Sequence, residues 1–456
     1  MSEKKNEPIM MKHLSCIPYD PEVFSFINWG EYCPHTYTNW REETLSWKTS
    51  CYLSTFLSCF PAMTISGPDA IKLVSDVSVN SYKNFPINSC KHMIICSPKG
   101  NVIDHGLVLR TGEQEITTYI TPFYLLYYAE KNHYDIQIDV QEGENRSWIF
   151  QLAGPRSLEI VENVLQEDVH DLKFMRCSYH TVAGHKVRLL RMGMGGSLSY
   201  EIQGNTDDAG IEVYREIMRV GAAYDIKRLG VNQYMCNHTE NGFPQGGLHF
   251  PGAFLDDPDY VAYRRSLDFY MHEEESFPHG SQSEDIRDYY RNPYELGWGH
   301  MVKFDHDFVG REALEKIRDS AHRQVVTLEW DKDDIMKVFK SYFEEGEEPY
   351  EDMAFPQDFG IMGAAENHYY QHKVLKNGKI VGVSMWRTYT LYYRKTISMC
   401  CIDADQAQIG NEVTLIWGGN GKRELEIRAK VARYPYLDLV PNKDFDLNTI
   451  PRFSKA

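Results

Sequence analysis

This sequence lacks any apolar run long enough to cross a bilayer, for which roughly 20 residues are needed. Its opening residues, "MSEKKNEPIMMKHLSC", contain the Lys4–Lys5 pair but no apolar h-region, so they do not read as a secretory signal. Long basic runs are missing too, and 65 acidic against 48 basic residues leave a formal charge of −17. A surface that tracks phosphates needs clustered Lys and Arg, so nucleic acid is excluded as a partner. The ten cysteines include no C-x-x-C pair, which removes the usual spacing of structural zinc and of redox dithiols. Thiols scattered without a framework suit a reducing, cytoplasmic setting, and neither a metal nor a membrane is expected.

What remains is ordinary globular material, with 42% hydrophobic and 25% charged residues. At 456 residues the chain exceeds one small core and predicts two or three packed units. Residues 21–48 read as an entry segment leading into a short helix, "REETLSWKTSCYLS". In "AMTISGPDAIKLVSDV" a β-rich run is stopped by Gly-Pro and a helix follows, with Asp69 in its first turn. The same order returns in "SWIFQLAGPRSLEIVENVL" (147–165), which suggests a duplicated α+β unit. Between them lie a hairpin turning at "PKGN" and a strand entering a helix. "HKVRLLRMGMGGSLSYEIQG" (185–204) predicts two strands around a Gly-rich bend, followed by the helix "DDAGIEVYREIMRVGAAYD". Residues 256–292 look like a long ordered insertion over the surface. From "RQVVTLEW" onward, short β segments with "NG" and "GG" turns imply an antiparallel barrel or jelly roll, interrupted by the acidic run "SYFEEGEEPYED". The boundary falls near residue 321, giving units 1–320 and 321–456.

"SGPDAIKLV", "LAGPRSLEIVENVL", "RMGMGGSLSYEI", "KFDHDFVGREAL" and "GKIVGVSM…TISMCCID…IGNEVTL" follow one another in the order seen in the folate-dependent aminomethyltransferase superfamily, which includes the glycine cleavage T-protein. Together they resemble that superfamily over most of the chain. The insertion 256–292 and "DYYRNPYELGWGHMVKFDHDFVGREALEKI" look most like its tetrahydrofolate-dependent aryl-methyl-ether O-demethylases, of the vanillate and syringate type. The resemblance implies an α+β fold of two ferredoxin-like subdomains plus a C-terminal β-barrel, arranged in a ring around a central folate channel.

The same resemblance nominates the site. Tyr200–Glu201 matches the family's Tyr-Glu, whose carboxylate accepts the N–H donors of a reduced pterin in charge-assisted geometry. Gly193, Gly195 and Gly196 would let the backbone approach the ring, although Gly195–Gly196 also reads as a plain hairpin turn. Trp298, Trp386 and Tyr389 are candidates to line the channel by stacking, and Arg387, Arg394 and Lys395 to meet the folate tail. Asp104 and His105 stand where T-protein-like members place an acidic pair, and only Asp104 is acidic here. Vanillate-type enzymes carry a proton-donating tyrosine in the loop "NGFPQGGLHFPGAFLDD" (241–257), which contains no tyrosine in this chain. Its His249 is the expected acid, with a bland loop histidine as the other reading. Phe56 and Cys59 replace a polar pair common in the superfamily, and with Trp29, Tyr32 and Phe250 they are expected to wall an aromatic pocket. Methoxybenzoate enzymes supply a cation within the segment matching "TYITPFYLLYY"; here Arg110 is the nearest substitute.

The expected activity is transfer of a methyl group from a methoxylated aromatic to N5 of tetrahydrofolate, giving a phenol and 5-methyltetrahydrofolate. The alternatives are an aminomethyltransferase, a sulfonium or quaternary-ammonium demethylase bound by cation–π attraction, or a folate-binding scaffold without turnover. The pattern implies neither a monomer nor a homo-oligomer.

Overall fold

The computed structural model describes residues 13–28, 31–119, 123–267, 278–320, 322–357, 369–419 and 421–454. The duplicated strand–Gly–helix phrase is present twice, and the reason is steric. Strand Met63–Ser66 ends at Gly67 (φ +128°), where a Cβ would lie 2.6 Å from the carbonyl oxygen of Asp135. Strand Ser147–Ala153 ends at Gly154 (φ +134°), where a Cβ would lie 2.6 Å from the carbonyl oxygen of Ser50. Only glycine fits either turn, and each then feeds a helix, Ala70–Val77 or Ser157–Leu165.

Each copy organises one sheet. The first runs in the spatial order Ser89–Cys96, Val102–Gly112, Glu115–Tyr119, Met63–Ser66, Gln137–Val140, all antiparallel. Its helices cover a core that includes Ile65, Leu73, Met93 and Leu125. The second runs Cys177–Val182, His185–Leu190, Ser199–Asn205, Ser147–Ala153, Tyr52–Ser54, Lys227–Leu229, with only the last pair parallel. Here the expected entry helix is shorter than its sequence suggested. Asn39 caps it by accepting from the N–H groups of Arg41 and Glu42, and it ends at Thr49. "CYLS" then inserts as a strand, because Tyr52 and Leu53 bury against both neighbours.

The C-terminal strands close into a six-stranded antiparallel barrel, so the jelly-roll alternative falls away. Its order is Tyr369–Lys376, Lys379–Thr390, Lys395–Ile402, Gln324–Trp330, Leu425–Ala432, Glu412–Trp417, and the last pairs back to the first. A helix that the strand pattern did not suggest, Lys332–Ser341, follows the first barrel strand. Asp331 caps it, and Asp334 holds it to the barrel through Arg428 at 2.7 Å. The insertion is less superficial than expected. Tyr260 and Tyr289 are fully buried, Tyr260 against Tyr124 at 4.9 Å between ring centroids, although 268–277 lie outside the described residues. No described helix is long and apolar enough to cross a membrane.

The cysteine reading needs one correction. Cys33 and Cys59 are joined by a disulfide, because the strand Tyr32–Thr36 packs on the turn Phe56–Cys59; the other eight cysteines are buried free thiols.

The entry segment, the second sheet and the barrel meet on the helix Val231–Asn241, whose residues from Val231 to Glu240 are buried. Its first N–H, from Gly230, is received by Glu43 at 2.8 Å, and that carboxylate also accepts from the backbone of Tyr37 and Thr38. Burial pushes the Glu43 carboxyl up to about 7. At the other end Gly242 takes the left-handed conformation (φ +67°) that closes a helix. Near that end Glu240 meets Lys48 at 2.6 Å, with both side chains about 1% exposed, and accepts from the Trp47 indole at 3.1 Å.

An uncompensated buried carboxylate is costly, so Lys48→Met is expected to destabilise the protein by about 3–5 kcal/mol in urea unfolding. Adding Glu240→Leu should restore part of that loss. A single variant as stable as the parent would show that the pair does not hold the helix.

Candidate active site

Glu201 lies opposite Gln151 across two neighbouring strands. Its carboxylate is 1% exposed and accepts from the Gln151 amide at 3.1 Å and the Gln203 amide at 2.8 Å. Those amides are themselves fixed. Tyr52 donates to Gln151 Oε1 at 2.7 Å, and Tyr119 and Arg188 each donate to Gln203 Oε1 at 2.8 Å. Burial is the largest influence on the Glu201 carboxyl and pushes it up to about 7, while the two amides and Arg188 pull the other way. Among the described residues each oxygen has one protein donor and keeps a lone pair, which fits the paired N–H groups of a reduced pterin.

The Tyr234 hydroxyl lies 3.5 Å from Gln151 Nε2, on the face of the buried helix. One turn further on, at i+4, His238 meets the Tyr234 ring at 4.9 Å. From His238 the rings continue to Phe243 (6.1 Å) and on to Trp298 (5.8 Å). Trp298 also contacts His92 (4.9 Å), His105 (5.0 Å) and Phe250 (6.0 Å). Hydrogen bonds set the tautomers here. His105 Nε2 accepts from the Gly246 N–H at 2.9 Å, so its proton sits on Nδ1 and goes to His92 Nε2 at 3.1 Å. Burial lowers His92 to about 3 and His238 to about 4, and drives His105 well below the usual imidazole range, so all three are neutral at neutral pH.

The structure therefore brings together Glu201, Trp298, Phe250, Phe56 and Trp386, the last two packed with Tyr52 and Tyr234. Other expectations are corrected. His249 is fully buried, with Nδ1 accepting from the Gln245 N–H at 3.0 Å and Nε2 against the Thr239 hydroxyl at 3.1 Å. Burial and the nearby His238 lower it to about 3, so it is a neutral loop-holding residue and not the acid. Strand alternation sends Tyr200 to the helix-covered core, opposite Glu201. Gly195 faces Ala153, where a Cβ would come within 2.5 Å, so its closeness serves packing and not a cofactor.

Asp104 pairs with Ile95 and His105 with Ile94, so they point to opposite faces; the Asp104 carboxylate accepts the His105 N–H at 2.8 Å. His105, not Asp104, joins the cluster. Arg110 donates from its guanidinium to the carbonyls of Phe85, Gly112 and Glu113, which engages it with the backbone at the end of its strand. Arg387 turns into the barrel, donating to Ala354 O at 2.6 Å and lying over Trp417, while Lys395 pairs with Glu329 at 3.3 Å. Tyr389 packs against Phe355 and Trp40. Tyr32 lines an outer cleft with Tyr37 and Tyr214, because alternation gives the inner side to Cys33, and Cys59 is that residue's disulfide partner. Trp29 lies outside the described residues.

Sequence reasoning missed Gln151, Tyr234, His238, His92 and Phe243. One signal was available: "YMCNH" spaces Tyr234 and His238 for one helix face.

The GCVT N-terminal domain family matches residues 22–249. A sesamin methylene transferase of Sinomonas sp. (strain No.22) is 36% identical, over 92% of this chain and 94% of that protein. A syringate O-demethylase of Sphingobium sp. (strain NBRC 103272 / SYK-6) is 29% identical, over 88% and 89%. An aminomethyltransferase of Bacillus subtilis (strain 168) is 23% identical, over 82% and 84%. Among solved structures, the glycine cleavage system aminomethyltransferase T from Bartonella henselae superposes with a TM-score of 0.63 at 13% identity, covering 91% of this chain and 95% of that one. That last likeness is one of fold.

Two stability measurements follow from the site. Glu201 ionises near 4.5 when unfolded and near 7 when folded, so the native state holds the extra proton between those values and stability falls as pH rises through that window. Glu201→Gln removes that loss: unfolding midpoints of variant and parent should converge near pH 4.5, and by pH 7.5 the variant should be more stable by about 2–3 kcal/mol. His249→Ala leaves the Gln245 N–H without its acceptor and should cost about 1–3 kcal/mol in the same assay.

Proposed function

Because the chain belongs to the aminomethyltransferase (glycine cleavage T-protein) superfamily and is a methyltransferase, we propose that it moves a one-carbon unit from an uncharged aryl ether to N5 of tetrahydrofolate. The observation that carries this reading is one continuous chain of side-chain contacts. It starts at the Glu201 carboxylate, passes Gln151 and Tyr234, and ends in neutral histidines and aromatic rings. Glu201, with Gln151 and Gln203 orienting it, would hold the pterin ring through charge-assisted hydrogen bonds. Tetrahydrofolate, when bound, supplies the nucleophilic nitrogen that receives the carbon. Trp298, Phe243 and Phe250 offer flat apolar surface for the arene and keep water from the reacting atoms.

Charge favours a neutral ring over a benzoate. His92, His105, His238, Phe243, Phe250 and Trp298 carry no cation at neutral pH, and Arg110 is engaged elsewhere. The demethylase relative supports a methyl as the unit moved. A second reading, a methylene held between two aryl oxygens, is favoured by the 36% identity to a sesamin methylene transferase.

Incubation with tetrahydrofolate and three panels (uncharged methoxyarenes, methoxybenzoates and methylenedioxyarenes) tests both readings. Free phenol and 5-methyltetrahydrofolate from the first panel are expected; 5,10-methylenetetrahydrofolate from the third would establish the second reading. Folate product formed only with an aminomethyl-loaded lipoyl carrier would overturn both.

A further inference from the structure

The reaction leaves a negative oxygen, and the residue expected to protonate it, His249, is sealed in a loop. The structure offers another histidine in a better place. His238 is 2% exposed and its Nδ1–H is fixed on the Tyr234 carbonyl at 2.9 Å, so Nε2 carries the lone pair. Among the described residues that nitrogen has no hydrogen-bond partner. The other cluster histidines differ: His105 has both nitrogens engaged, and His92 presents a donor at Nδ1, its Nε2 lone pair being used by His105.

Position makes His238 more than a spare acceptor. It lies one helical turn from Tyr234, whose hydroxyl is 3.5 Å from the amide that holds Glu201, and its ring borders Phe243, which leads to Trp298. A turn of helix rises about 5.4 Å, so His238 stands where a pterin on Glu201 and an arene on Trp298 would meet.

We propose that His238 Nε2 is the proton carrier of the transfer, taking a proton from the acceptor amine and giving it to the aryl oxygen. The inference rests on the function proposed above. As the carbon–oxygen bond breaks, its electron pair goes to oxygen. As the carbon–nitrogen bond forms, the amine becomes cationic and its proton passes to His238 Nε2. The imidazolium then protonates the aryl oxide, and the product is a phenol beside a neutral histidine. Tyr234 acts as a positioning residue, since its carbonyl fixes the tautomer.

The test varies the leaving group. For a plain methoxyarene, His238→Gln should lower turnover roughly 10²–10⁴-fold, the usual contribution of a positioned proton donor. For a nitro-substituted methoxyarene, whose oxide needs no proton, the deficit should shrink to less than tenfold. Equal deficits on both ethers, or none, would overturn the assignment. A second measurement needs neither a variant nor folate: in nitrogen-15 histidine-labelled protein, the His238 Nε2 resonance should move from its unprotonated position when phenol is added, and stay put with anisole. No movement with phenol overturns the contact. Failure of the functional reading looks different, because the unaltered enzyme with tetrahydrofolate would then leave every ether intact, which removes the transfer role whatever the variant does.

Discussion

A helix that water does not reach must find every polar partner inside the protein, and Val231–Asn241 imposes that condition on the whole molecule. Glu43 supplies the acceptor at its start, Gly242 the turn at its end, and Lys48 and Trp47 the donors for Glu240. Thr239 is met by His249, and Asn232 by Gln357 at 2.8 Å. The segment after the barrel returns to donate Leu437 N–H to the Glu240 carbonyl at 2.8 Å. These partners come from the entry segment, the loop 241–257 and the barrel region, so the helix ties these parts of the chain together through polar as well as apolar contact. Gln233 is different: both atoms of its fully buried amide lack a hydrogen-bond partner among the described residues.

That helix also explains why the site can tolerate unfavourable groups. Glu201 ionises against burial, and three histidines sit where protonation is suppressed. Alone, each would relax toward water or a better partner. Gln151, Gln203 and Tyr234 are instead set by strand register and by the helix, so the unfavourable geometry is imposed from outside the site. The same rigidity fixes which imidazole nitrogen carries a proton, because backbone groups of Gly246 and Tyr234 decide it.

Much of the fold was legible because its signals are local. A strand stopped by Gly-Pro before a helix reads the same at 67 and at 154, and the close approach of Asp135 and Ser50 explains why glycine stands at both. Glu201 could be nominated from its motif, and Trp298, Phe250, Phe56 and Trp386 from being aromatic in segments that fold toward the candidate site. The loop histidine misled because a sequence reports side-chain chemistry but not enclosure. His249 has the pKa of an acid in water and loses it to burial and to the nearby His238, while Gln245 and Thr239 occupy both of its nitrogens. Tyr200 and Asp104 misled for a simpler reason, strand alternation, which gives the face of the candidate site to Glu201 and His105. His92, His105 and His238 come from two strands of one sheet and from the central helix, and only folding makes them neighbours.

Neutrality of the histidine cluster is the feature that best matches the proposed chemistry. Moving a carbon from a neutral ether to a neutral amine creates a cation and an anion a few ångströms apart, and an apolar site does not solvate either. A permanent charge beside them would stabilise one and oppose the other. A neutral imidazole with an open lone pair avoids that choice, since moving one proton erases both charges as they form. The low dielectric that makes protonated histidine unfavourable at rest would then work for the proposed reaction, because it would drive the proton on to the more basic aryl oxide. On this argument the burial that disqualifies His249 suits His238. Both are enclosed and neutral, but only His238 keeps an unused nitrogen beside the rings that would hold the arene.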